Sequence, residues 1–142
     1  MSHLGLAIAI ASKAFKDVVD KGGEPYILHC LRVMNKVKYL GHDIMCIAIL
    51  HDVIEDTHYD EKYLRDAGFS NYIIEGVNAL TKNKDCEYET YIKRIATYSH
   101  LVPIKLADLE DNSNITRLKG ISKKDLDRME KYHKAYLYLS KL

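Results

Sequence analysis

The 142-residue chain carries 21 Lys and Arg against 20 Asp and Glu, a formal net charge of +1; so near a balance gives no electrostatic ground for a nucleic-acid or membrane partner. The length suits one domain over residues 1–142, burying roughly two-thirds of its unfolded surface. Cys30, Cys46 and Cys86 show no CxxC spacing, and the apolar run 4–11 lacks a basic leader and is too short to span a bilayer, so the expected location is the cytoplasm.

Apolar residues recur at helical spacing almost throughout, and only two prolines interrupt them. Ala7, Ala11, Ala14, Phe15 and Val18 form a first stripe that runs toward the stop at Gly22 and Gly23. Pro25 permits a second helix, packed through Ile27, Leu31, Met34 and Val37 and ending near Gly41. A third is predicted over 43–54; Ile44, Ile47, Ala48, Ile49 and Leu50 make it apolar on nearly every side, as the centre of a bundle requires.

Asp60 reads as the N-cap of a short helix to Ala67, and Ser70 opens another toward Thr81. Residues 82–87 form a polar loop. Helices follow over 88–98 and 102–116, with Pro103 tolerated in a first turn. Ser122 and Asp125 make a capping-box start to the last helix. Its stripe of Met129, Tyr132, Tyr136 and Leu139 reads as core or as the contact of a homodimer. The basic cluster Arg117, Lys119, Lys123, Lys124 and Arg128 is interleaved with Asp125 and Asp127 and reads as a solvated face. No segment alternates as a strand, so the expected fold is all-α, a bundle of about seven or eight helices.

The chemistry concentrates in His51-Asp52 followed by Glu55 and Asp56, emerging from the most apolar helix. Ionisable groups buried there cost several kcal/mol unless they are paired or bind a cation. His29 on the second helix and Asp108 on the seventh complete a candidate set of two imidazoles and two carboxylates. That set suits Mn²⁺, Fe²⁺, Co²⁺ or Zn²⁺ better than Ca²⁺, and leaves room for water and a phosphoryl oxygen. Glu55 lies four residues after His51 and Asp56 four after Asp52, on one helix face. These two carboxylates are the candidates to orient or deprotonate the attacking water. On the facing wall, Asn112 could fix a substrate hydroxyl or phosphate. Lys105 could answer phosphate charge or stabilise Asp56 or Asp111, and Lys82 in the polar loop is a further substrate-facing candidate.

At these residues, in the order H…HD…D, the chain resembles the HD superfamily of metal-dependent phosphohydrolases. Within it, GEPYILH (23–29), HDVIEDT (51–57) and KLADLEDN (105–112) are similar to the hydrolase motifs of the RelA/SpoT-type alarmone hydrolases. The resemblance implies an HD-type bundle and a Mn²⁺-dependent enzyme that removes pyrophosphate from the 3′ position of ppGpp or pppGpp. It implies that His29, His51, Asp52 and Asp108 bind the metal, that Glu55 and Asp56 serve the water, and that Asn112 contacts substrate. It also places Lys21 and Tyr26 at the nucleotide pocket. Two positions depart from the family pattern. Asp20 stands where an Arg stacks on guanine, a contact a carboxylate does not make, and Cys30 stands where a Pro is usual. The expected partner is a small nucleotide. The alternatives are an HD-type nucleotidase releasing phosphate from nucleoside monophosphates, and a nucleotide-binding regulatory module with weak turnover.

Overall fold

The computed structural model describes residues 2–142. Among them are nine α-helices, two single 3-10 turns and no strand; one isolated antiparallel bridge joins Val19 and Pro25. The helices are α1 (Leu4–Ala14), α2 (Ile27–Lys36), α3 (His42–Leu50), α4 (Val53–Asp56), α5 (Glu61–Asp66), α6 (Asn71–Leu80), α7 (Tyr88–Ala96), α8 (Val102–Asn112) and α9 (Lys123–Ser140). The all-α expectation holds, with one helix more than the upper expected count.

The additional helix arises where the predicted 43–54 helix breaks. His51 and Asp52 form a turn between α3 and α4. The imidazole of His51 donates from Nδ1 to the carbonyl of Ala48 at 2.6 Å, and the His51 backbone N–H reaches the same oxygen. The side chain thus satisfies a carbonyl of the last turn and ends the helix. Other predicted helices also stop early, the second at Lys36 ahead of a 3-10 turn over Lys38–Leu40 and the 88–98 helix at Ala96. α1 ends at Ala14, the chain turns as the Val18 N–H bonds the Phe15 carbonyl, and Asp20 engages local backbone N–H groups to build a further turn over 20–24. α8 ends at Asn112; Asn114 then accepts from the N–H of Thr116 and caps the 3-10 turn Ile115–Arg117.

The capping signals form as expected. Asp60 accepts from the N–H of Tyr63, Ser70 from Ile73, and Ser122 with Asp125 closes a capping box. α3 is the centre of the bundle, with every residue from Ile44 to Leu50 buried. It packs against α1, α2 and α6, while α8 packs on α2 and α9. The C-terminal end of α3 therefore opens onto α2 and α8, and there the apolar core meets the ionisable groups. Among the described residues no helix is long and apolar enough to cross a membrane.

Candidate metal centre

Three elements deliver four ligand atoms to one point: α2 brings His29, the α3–α4 turn brings His51 and Asp52, and α8 brings Asp108. One atom from each lies within 4.8 Å of every other. Nε2 of His29 is 3.0 Å from Oδ1 of Asp108 and 3.9 Å from Oδ2 of Asp52. Nε2 of His51 is 3.2 Å from the same Asp108 oxygen and 3.0 Å from the same Asp52 oxygen. His29, His51 and Asp108 are buried; Asp52 is half-buried.

The outer nitrogens show what the inner ones can do. A carbonyl only accepts, so Nδ1 of His51 carries its proton toward Ala48. Nδ1 of His29 lies 2.6 Å from Oδ2 of Asp111. Burial pushes the Asp111 carboxyl up, but hydrogen bonds from His29 and Arg32 and the charge of Arg117 hold it well below the usual carboxylate range. Asp111 is thus ionised and accepts, and both rings turn a lone pair inward when neutral, the arrangement of metal-bound histidine.

Electrostatics point the same way. Burial disfavours charge on His51, yet Asp52 and Asp108 outweigh it and raise its pKa well above the usual value. His29 is likewise disfavoured by burial and raised by Asp108 and Asp111. Asp108, pushed up by burial, is held well below the usual range by Lys105, His51 and its histidine hydrogen bonds. A site that draws protons onto both imidazoles is short of positive charge. The two nitrogens, the two carboxylates and their inward geometry fit a divalent cation.

Around this set, the hydroxyl of Tyr26 donates to Asp52 Oδ2 at 2.5 Å, and Asn112 Nδ2 donates to Asp108 Oδ1 at 3.1 Å. Lys105, read as substrate-facing, is buried and donates to Asp108 Oδ2 at 2.8 Å, with its ammonium over the ring of Tyr91. It holds a candidate ligand rather than Asp56 or Asp111. Glu55 and Asp56 gather beside Asp52, again within 4.8 Å atom to atom. Oε1 of Glu55 accepts the backbone N–H of Lys82 at 2.6 Å, while the Lys82 ammonium turns to the carbonyl of Asn83. Burial, then the charges of Asp52 and Glu55, push Asp56 up to about 7.

A cavity of about 320 Å³ adjoins the centre and brings together Lys21, Tyr26, Asp56 and Asn112. Its other walls include Phe15, Arg117, Arg128, Met129 and Tyr132. Of the stripe read as core or dimer contact, Leu139 lies in the core and Tyr132 and Tyr136 pack against it, while Met129 and Tyr132 also line the cavity. Asp111, Arg117 and Arg128 were not among the candidate site residues. Asp111 carried a legible signal, three residues after Asp108 on the same helix face. Arg117 and Arg128 carried none, being part of a cluster that reads as solvated. Asp20 is held in the cavity wall by Arg117, 2.7 Å away.

Residues 26–134 match the family model described as HD domain. A guanosine-3′,5′-bis(diphosphate) 3′-pyrophosphohydrolase of Haemophilus influenzae is 31% identical over 128 residues, covering 84% of this chain and 19% of that protein. One of the same description from Aquifex aeolicus is 38% identical over 101 residues, covering 65% of this chain and 14% of that protein. The chain therefore spans at most about a fifth of either relative. A solved structure described as a metazoan ortholog of SpoT that hydrolyzes ppGpp superposes with a TM-score of 0.82 at 20% identity, over 98% of this chain and 85% of that one. That likeness establishes the shared fold. With the H…HD…D residues converging on one centre and the family match spanning most of its length, the chain belongs to the HD-domain family.

Proposed function

We propose that the chain is a Mn²⁺-dependent phosphohydrolase that removes pyrophosphate from the 3′ position of ppGpp-type nucleotides. The observation that carries this reading is the convergence of His29, His51, Asp52 and Asp108 beside a second carboxylate pair, Glu55 and Asp56, with Asp56 lining a cavity of about 320 Å³. The 3′-pyrophosphohydrolases of Haemophilus influenzae and Aquifex aeolicus support the substrate class.

His29, His51, Asp52 and Asp108 would hold the cation, with Asp111 and the Ala48 carbonyl keeping both rings aimed. A divalent ion supplies Lewis-acid polarisation of the phosphoryl oxygen and makes water more acidic. Glu55 and Asp56 orient the water and accept its proton as it attacks the phosphorus joined to the ribose 3′ oxygen. Asp56, poised near neutrality, is suited to take that proton and return it to the departing 3′ oxygen. Tyr26 and Lys105 hold the carboxylates of Asp52 and Asp108. Lys21, Asn112 and Lys82 are the proposed substrate contacts, Asn112 through whichever amide capacity Asp108 does not occupy.

The test is turnover of ppGpp and of several nucleoside monophosphates with Mn²⁺, with products separated by ion-exchange chromatography. The expected result is GDP and pyrophosphate from ppGpp, abolished in Asp52→Ala. Orthophosphate from monophosphates, with ppGpp intact, would replace this reading with a nucleotidase. Nucleotide binding without any turnover would replace it with a regulatory module.

A further inference from the structure

Arg117 joins two parts of the molecule that are far apart in sequence. Its Nη1 donates to Oδ2 of Asp111 at 2.8 Å and to the main-chain carbonyl of Asp111 at 2.9 Å. Its Nη2 donates to Oδ2 of Asp20 at 2.7 Å. The other Asp20 oxygen accepts the backbone N–H groups of Gly22 and Glu24, each at 2.9 Å. Asp20 therefore shapes the turn that carries Lys21 at the cavity rim. At the other end of the chain of contacts, Asp111 receives Nδ1 of His29 at 2.6 Å.

The backbone is docked as closely as the side chains. A Cβ at Gly22 would stand 2.0 Å from the carbonyl oxygen of Arg117. Only glycine allows the rim turn to sit directly on the 3-10 turn that presents Arg117. The side chains of Asp20 and Asp111 are each 6% exposed and that of Arg117 is 20% exposed, so one guanidinium pairs with two carboxylates largely out of solvent. Arg32 also pairs with Asp111, but its side chain is 41% exposed and its hydrogen bonds go to Asp111 alone. Arg117 is thus the bridge between the rim and the metal ligand.

We infer that Arg117 is a positioning residue that ties the rim turn of the cavity, through Asp20, to the orientation of His29, through Asp111, so that metal retention depends on the rim. The inference rests on the proposed reading of His29 as a metal ligand. Three of the five guanidinium N–H groups of Arg117 are engaged by Asp20 and Asp111, which fixes the plane of the guanidinium between them.

The experiment is calorimetric titration of Mn²⁺ into the metal-free full chain, its Asp20→Asn and Arg117→Gln variants, and the double variant, with circular dichroism to verify the fold. Arg117→Gln is expected to weaken Mn²⁺ binding about tenfold, the scale of outer-shell changes. Asp20→Asn touches no proposed ligand and keeps an oxygen for the turn, yet it is expected to weaken binding about threefold. The double variant is expected to match Arg117→Gln alone, because one bridge is broken either way. An Asp20→Asn protein that binds Mn²⁺ like the unsubstituted chain overturns the inference, as do effects of the two substitutions that multiply. Should Arg117→Gln fail to fold, Asp20→Asn decides alone. If the unsubstituted chain binds no Mn²⁺, the proposed function itself fails and this inference falls with it; normal binding with unaffected variants removes this inference only.

Discussion

The carboxylate of Glu55 receives the backbone N–H of Lys82 at 2.6 Å, which ties the acidic face of α4 to the loop after α6. One oxygen is fixed by that bond, and the carboxylate stands with Asp52 and Asp56 within 4.8 Å. Glutamine at this position keeps the acceptor oxygen but loses proton affinity. Glu55→Gln is therefore expected to lower kcat on ppGpp about 10²- to 10⁴-fold, with Mn²⁺ affinity changed by no more than about twofold. Steady-state kinetics beside calorimetry separate the two quantities. A loss of Mn²⁺ binding equal to the loss of rate would make Glu55 a ligand instead.

Metal should also appear in stability. His29, His51 and Asp108 are buried, and without a cation the carboxylates draw protons onto both imidazoles even though Lys105 pairs with Asp108. An ion bound by the folded chain alone, at a free concentration of about 100 times its Kd, adds about 2.7 kcal/mol. For a chain of this size that is roughly 5–10 °C in Tm. Melting with Mn²⁺ and with EDTA measures the difference, and Asp108→Asn should abolish it. A Tm unmoved by Mn²⁺ over a wide concentration range would contradict the site.

Acid should loosen the rim turn. Burial pushes the Asp20 carboxyl up, but Arg117 and the N–H groups of Glu24 and Gly22 outweigh it and leave the pKa lowered. A carboxyl whose folded pKa lies below its unfolded value, about 3.9, contributes its full stabilisation above that value and loses it as pH falls through the folded pKa. Asp20→Asn should consequently be less stable than the unsubstituted chain at pH 7, and the gap should be narrower at pH 3. Urea unfolding at both values tests this. A gap independent of pH would mean that the carboxylate's charge contributes nothing.

The proposed ligands were legible because they contradict their surroundings. His51 and Asp52 close the most apolar helix, and His29 and Asp108 interrupt apolar stripes, so burial without a partner was the less economical reading. Glu55, Asp56 and Asn112 followed from helical spacing. The break at His51 was not legible, since apolar periodicity runs through it and a single ring–carbonyl bond decides the end of the helix. Lys105 had several acidic neighbours open to it in sequence, and packing against Tyr91 selects Asp108. Arg117 lies 97 positions from Asp20, and Met129 and Tyr132 reach the cavity only because α9 folds back over α8. Such contacts depend on how helices are placed, which local spacing does not encode.

A close approach of two helices at a glycine gives a prediction of its own. Gly76 on α6 faces Ile47 on α3, and a Cβ there would lie 2.6 Å from Cδ1 of Ile47, with Cγ1 and Cγ2 at 3.0 and 3.1 Å. Ile47 is fully buried, so its side chain has little room to yield. Two effects oppose each other in Gly76→Ala. Alanine gains about 1 kcal/mol of helix propensity, while overpacking a core contact costs about 1–3 kcal/mol. Three close contacts with an immobile partner favour the second, so Gly76→Ala is expected to destabilise by about 1 kcal/mol net. Ile47→Val removes the closest atom at a cost of about 0.5–1.5 kcal/mol alone. In the Ile47→Val background Gly76→Ala should be neutral or stabilising, because propensity then acts with less opposition. A urea double-mutant cycle reads this coupling directly, and additive effects would show that α6 moves away from α3 to make room.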